Sequence, residues 1–152
     1  MKTSAGILAY RFVEELQFFL VHPGGPFFKN KDAGAWSIPK GEYNAGEEPL
    51  LTATREFFEE TGFKIEGNLI PLAPIKQKSG KVVTAWAIKQ DFNEAAITSN
   101  TFEIEWPPKS GKLKLFPEVD KAHWFNADEA KEKINPAQVN FIEQLTSLLH
   151  YF

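Results

Sequence analysis

The sequence predicts an α/β fold in which strands, several of them paired as hairpins, are interleaved with helices. Three observations carry this. Apolar, β-rich runs recur along the chain between turn signals. A stretch before the middle and another at the C-terminal end show instead the spacing of amphipathic helices. Strands and helices mixed in this way form layered sandwiches, because each element has an apolar side to bury.

Ser4 to Arg11 and Leu16 to His22 read as two strands around a turn at Glu14-Glu15. His22 to Gly34, HPGGPFFKNKDAG, is a loop rich in Gly, Pro and polar residues. Trp36 to Pro39 reads as a short strand, and Lys40, Gly41 and Gly46 as a tightly bending loop that exposes backbone carbonyls. A helix follows, opened by Pro49 and closed by Gly62, which suits the left-handed cap position. Asn68 to Lys76 and Lys81 to Gln90 flank KQKSGK as a hairpin with Ser79-Gly80 at the tip. Thr101 to Trp106 and Lys112 to Phe116 make a second pair around Pro107-Pro108, and His123 to Phe125 a short strand. Asp128 to Ile134 is a short helix. Pro136 to Leu149 is a longer one, capped by Asn135, with Val139, Ile142, Leu145 and Leu149 on one stripe.

With 152 residues, residues 1–152 are read as a single domain with a sizeable core. The net charge of −3 gives no electrostatic case for nonspecific nucleic-acid binding. The lack of cysteine removes disulfides, thiolate metal sites and thiol nucleophiles. No apolar run reaches the length of a membrane span, and the N-terminal apolar stretch reads as a strand rather than a signal peptide, so the cytoplasm is the default location.

The chemistry is concentrated in Gly41 to Phe63, GEYNAGEEPLLTATREFFEETGF. On a helical wheel, Thr52, Arg55, Glu56, Glu59 and Glu60 are read as a polar face and Leu50, Leu51, Ala53, Phe57 and Phe58 as the apolar face that seats the helix. Like charges three and four residues apart repel. A hard divalent cation removes that cost, since Mg²⁺ prefers carboxylate and water oxygens. The bland alternative is a solvated acidic face, the usual meaning of a charge run; it leaves the Gly and Arg positions unexplained.

This stretch resembles the Nudix box: Gly41, Glu47, Arg55, Glu56, Phe57, Glu59, Glu60, Gly62 and Phe63 fill its defined positions. The resemblance implies a mixed sheet sandwiched between helices, with the box as a loop-helix-loop across it. It implies hydrolysis of a nucleoside diphosphate linked to another moiety, by attack of water on phosphorus, with Mg²⁺ or Mn²⁺. Glu56 and Glu60 are then the direct metal ligands, Glu59 shares the site, and a backbone carbonyl at Lys40 or Gly41 completes it. Glu47 pairs with Arg55, and Arg55 orients a catalytic glutamate; the other reading of that pair is a plain structural salt bridge. Gly62 has a structural part in the motif.

Glu118, in a loop before Trp124, has two readings: an extra ligand or general base, or an exposed loop acid. Glu103 and Glu105 alternate with apolar residues and read as the wet side of a strand. Lys40 and Lys81 are candidates to touch phosphate, and Phe28 to stack on a base. Trp36 and Trp86 read as core, Lys78 as solubilising, and the histidines have no assigned metal role. WSIPKGE, KQKSGKVVTAW and the Glu118-to-Trp124 spacing look most like the diadenosine polyphosphate hydrolase branch, although Ala85 stands where that branch often has Tyr. Nucleoside triphosphates or nucleotide sugars are alternative substrates, and a non-catalytic nucleotide-sensing module is an alternative of another class. The partner is a small nucleotide; the oligomeric state is not encoded in any motif.

Overall fold

The structure, a computed structural model, describes residues 2–151. β1 (Thr3–Val13) and β2 (Glu15–Pro23) form an antiparallel hairpin, turned by Glu14 at a left-handed φ of 67°. β3 (Lys40–Tyr43) leads to α1 (Pro49–Thr61), followed by β4 (Leu69–Pro71), β5 (Ile75–Lys76) and β6 (Val82–Lys89). β7 (Thr101–Glu105) and β8 (Leu113–Pro117) form a separate two-stranded sheet. β9 (Val119–Asn126), α2 (Ala127–Lys133) and α3 (Val139–Leu148) complete the chain.

The main sheet runs β4-β6-β1-β2-β9, with β3 paired to β1 and β5 to β6. It is mixed: β1 and β6 are parallel, while the other pairs are antiparallel. Side-chain alternation sends Ala5, Ile7, Ala9, Phe19 and Val21 to one side, where Ala53 and Phe57 of α1 meet them. Leu8, Tyr10, Phe18 and Leu20 point to the other side, against Ala130, Ile134, Phe141, Ile142 and Leu145. Both faces of the central strands are therefore covered, which explains why β1 and β2 read as nearly continuous apolar runs. Asn126 and Glu129 form a reciprocal capping box at the start of α2. Asn135 caps a 3-10 turn at Pro136–Gln138 that runs into α3.

Two expectations need correction. Trp36 to Ile38 carries only isolated bridges, Val21 to Ser37 and Trp36 to Ile134; the strand lies at Lys40–Tyr43, where a bending loop was expected. The cause is Gly6. A Cβ there would collide with the Pro39 carbonyl and Ile38, so only glycine lets this segment close onto β1, with the Ile7 N–H donating to the Pro39 carbonyl at 3.2 Å. The second correction concerns the helix wheel. Leu51 and Phe58 are 68% and 47% exposed, whereas Thr52 and Glu60 are buried. At about 100° per residue, Phe57 stands about 40° from Ala53, but Phe58 and Leu51 stand about 140° and 160° away.

Candidate metal centre

The same rotation grades the acids of α1. Glu60 lies about 20° from Ala53 around the axis, Glu56 about 60°, Glu59 about 120° and Arg55 about 160°. Burial follows this order: Glu60 is only 8% exposed, Glu56 and Glu59 are half-buried, and Arg55 is exposed. Gly62 ends the helix at φ 81°, donating its N–H to the Phe58 carbonyl at 2.7 Å. Gly41 makes room at the other side of the cluster, because a Cβ there would overlap the Glu56 carboxyl group.

Glu118 occupies the bend between β8 and β9. Its N–H donates to the Asn100 carbonyl at 2.8 Å, and its own carbonyl accepts from the Gly24 N–H at 2.9 Å. Asn100 in turn donates its N–H to the Glu59 carbonyl at 2.7 Å, and the Ser99 hydroxyl accepts from the Val119 N–H at 3.0 Å. This backbone clamp fixes the bend against the end of α1. The result is that Glu56, Glu60 and Glu118 each offer a carboxylate oxygen, all within 4.8 Å of one another.

The protein's own charges leave these acids short of positive partners. Burial, then Glu56 and Glu118, pushes the Glu60 carboxyl up to about 9, against the pull of Lys40. Burial and then Glu59 raise Glu56, against Arg55. Burial and Glu59 also raise Glu118. Burial, and then Lys81, lowers the Lys40 ammonium, while Glu60, Glu42 and Glu56 hold it up. Three close carboxyls that all resist ionisation, one of them buried, form a hard-oxygen donor set that a divalent cation would complete.

Arg55 sits at the rim, 3.3 Å from Glu59 and 3.7 Å from Glu56. The expected Glu47–Arg55 pair does not form: Glu47 instead accepts from the Asn44 N–H at 2.8 Å within its own turn, while Arg55 finds Glu59 four residues along the helix. Glu59 stands outside the trio of close carboxylates. Lys40, Glu60 and Glu118 line a cavity of about 190 Å³ with Pro23 and Ile38. Lys81 lines a larger one, about 700 Å³, with Lys2, Lys76 and Glu42. Phe28 is exposed, with the Lys31 ammonium 5.4 Å from its ring. Trp36 is buried, and Glu103 and Glu105 point to solvent. His22 is buried and bonded to Asp120 and to the Lys31 carbonyl. The Asn100 clamp went unread in the sequence, since backbone hydrogen bonds leave no mark on residue type.

The NUDIX domain model matches residues 2–145. The chain belongs to the Nudix family. Among solved structures, this Nudix chain is similar to a Caenorhabditis elegans Ap4A hydrolase complex, with a TM-score of 0.65, 20% identity and full coverage of both chains. It is also similar to the NUDIX domain of Shewanella oneidensis NrtR complexed with ADP ribose, with a TM-score of 0.66, 17% identity, and 97% and 87% of the two chains covered. A curated relative, the "Putative mRNA-decapping protein" of Acanthamoeba polyphaga mimivirus, is 30% identical over 135 residues, 82% of this chain and 32% of that protein. An octanoyltransferase of Myxococcus xanthus is 28% identical over 101 residues, 66% of this chain and 25% of that protein. The Nudix chain thus spans a quarter to a third of the curated relatives it matches.

Proposed function

We propose that the chain hydrolyses a phosphoric anhydride bond in a nucleotide, with a dinucleoside polyphosphate as substrate and Mg²⁺ or Mn²⁺ as cofactor. The observation that carries this reading is the trio Glu56, Glu60 and Glu118, whose carboxylate oxygens lie within 4.8 Å of one another. These three side chains would hold the cation. Once bound, it would offset the charge of the phosphate chain and make water a better nucleophile.

The remaining roles belong to the chain's own residues. Gly41 keeps the space into which Glu56 folds. Arg55, exposed and forked, holds Glu59 at the rim beside the trio. Glu118, fixed by backbone bonds on both sides, accepts a proton from the attacking water or serves as a ligand. Lys40, on the wall of the acid cavity, meets a phosphate oxygen, and Lys81 meets one further along the chain. Phe28 offers an exposed ring to a base.

The viral relative favours a second reading, in which the substrate is the capped end of an RNA. One experiment separates the two: incubate the purified chain with Mg²⁺ and diadenosine polyphosphates, nucleoside triphosphates, nucleotide sugars and capped RNA, and identify the products by chromatography. Fastest turnover of a dinucleoside polyphosphate supports the proposal, and selective cleavage of capped RNA replaces it.

A further inference from the structure

A cavity of about 570 Å³ is lined by Pro117 and Asp120, which flank Glu118 in the chain, and by Gly25, next to the Gly24 that donates its N–H to the Glu118 carbonyl at 2.9 Å. Pro23 and Glu118 line the acid side, while Gly25, Pro26, Pro117 and Asp120 line this one. Its far wall is the β7–β8 hairpin. Register places Phe102 opposite Phe116 and Ile104 opposite Lys114, so these four share a face, while exposed Leu113 and Leu115 take the other. Trp106 and Phe116 give the cavity aromatic surface. Phe27 meets the Trp106 ring edge-on at 5.5 Å, which braces the indole. The Phe102 ring closes over Gly25, in the space a Cβ would take.

The charge of this cavity runs against that of the chain. Lys29 and Lys114 line it, and its one acid, Asp120, is already bonded to His22 at 2.8 Å. An apolar, aromatic cavity with two cations that form no ion pair among the described residues suits a planar group joined to an anion. The volume falls in the range of roughly 300–1,000 Å³ usual for small-molecule sites.

We propose that this cavity seats the base and ribose of one of the substrate's two nucleosides, an assignment that rests on the nucleotide-hydrolase reading above. The base stacks on Trp106. Lys29 and Lys114 flank the phosphate nearest the sugar, from which the chain leads past Glu118 to the acid cluster. Stacking accepts any base, so the cavity binds purine and pyrimidine nucleotides alike.

Two measurements test this: kinetics with diadenosine tetraphosphate at saturating Mg²⁺, and AMP titration of the isotope-labelled chain without added metal, followed by NMR. Trp106→Ala should raise KM by roughly 5- to 100-fold, the effect of losing one base–aromatic stack, with kcat largely retained. Trp106→Phe should restore most of the affinity. Lys114→Met, at an exposed strand position, should also raise KM, which guards against a folding defect in the tryptophan variant. AMP should shift the Trp106 indole resonance. An unchanged KM in both variants, with that resonance unmoved, overturns the assignment even where Glu60→Gln has abolished hydrolysis. If the wild-type chain cleaves no nucleotide, the hydrolase reading falls, and the AMP titration alone still decides the cavity.

Discussion

Glu59 and Glu118 are tied through a single residue: the Asn100 N–H donates to the Glu59 carbonyl at 2.7 Å, and the Asn100 carbonyl accepts from the Glu118 N–H at 2.8 Å. The bend carrying Glu118 is thereby fixed to the helix that supplies Glu56 and Glu60. An acid brought from a different part of the chain joins the cluster without depending on a mobile loop.

Glu118→Gln is therefore expected to lower kcat with little change in KM, the pattern of an interaction made mainly in the transition state. Its effect should exceed those of Glu103→Gln and Glu105→Gln, whose side chains point to solvent from β7. Steady-state kinetics on the three variants with one substrate and saturating Mg²⁺ make the comparison. An unchanged Glu118→Gln enzyme would return the base to Glu56 or Glu59.

Glu56→Gln and Glu60→Gln should each reduce kcat by roughly 10²–10⁴, the range for loss of a positioned charged group. Both should remain folded, because glutamine keeps the size of the glutamate side chain and leaves the apolar packing of α1 at Ala53 and Phe57 intact. Circular dichroism and turnover on the same samples check both halves of this prediction; near wild-type turnover in either variant contradicts the ligand assignment.

Stability should depend on pH through Glu60. Its folded value, about 9, lies above its ordinary value of 4.5, so the folded chain holds a proton that the unfolded chain has released. The contribution is full below about pH 4.5 and is lost as pH rises toward 9, because the unfolded state binds fewer protons across that window. Denaturation of metal-free protein should show this decline, and Glu60→Gln should weaken it, leaving the smaller parts of Glu56 and Glu118, whose carboxyls are also raised. Mg²⁺ binding at neutral pH should also release a proton, seen as a heat that varies with buffer ionisation enthalpy. Proton-free binding in calorimetry would count against a protonated Glu60.

Gly41→Ala tests the space beneath Glu56. The added methyl would overlap the Glu56 carboxyl group, so either that side chain or β3 must move. Turnover should fall strongly, with a stability loss of about 1–3 kcal/mol, typical of overpacking. Wild-type activity in this variant would show that Glu56 need not lie where the structure has it.

Much of this was legible in residue spacing. Gly62 and Pro49 marked the ends of α1, the KQKSGK turn marked the β5–β6 hairpin, and the four-residue interval between Glu56 and Glu60 marked two of the three clustered acids, whereas Glu59 stands outside the trio. The burial of Glu60 was also written in the wheel, about 20° from Ala53, but its charge suggested a wet position. β3 was hidden because Lys40-Gly41-Glu42-Tyr43 lacks apolar alternation and pairs only through the opening at Gly6. The Glu47 and Arg55 partners depended on local turn geometry, and the Asn100 clamp on backbone alone.

The proposed metal centre requires that Glu56, Glu60 and Glu118 together hold a divalent cation needed for hydrolysis. Its most direct test is turnover of diadenosine tetraphosphate by wild-type and Glu60→Gln protein after rigorous chelation, and again after Mg²⁺ or Mn²⁺ is returned. The chelated wild type should show no turnover and recover fully on adding metal, and the variant should recover little. Full activity of the chelated wild-type protein would contradict it.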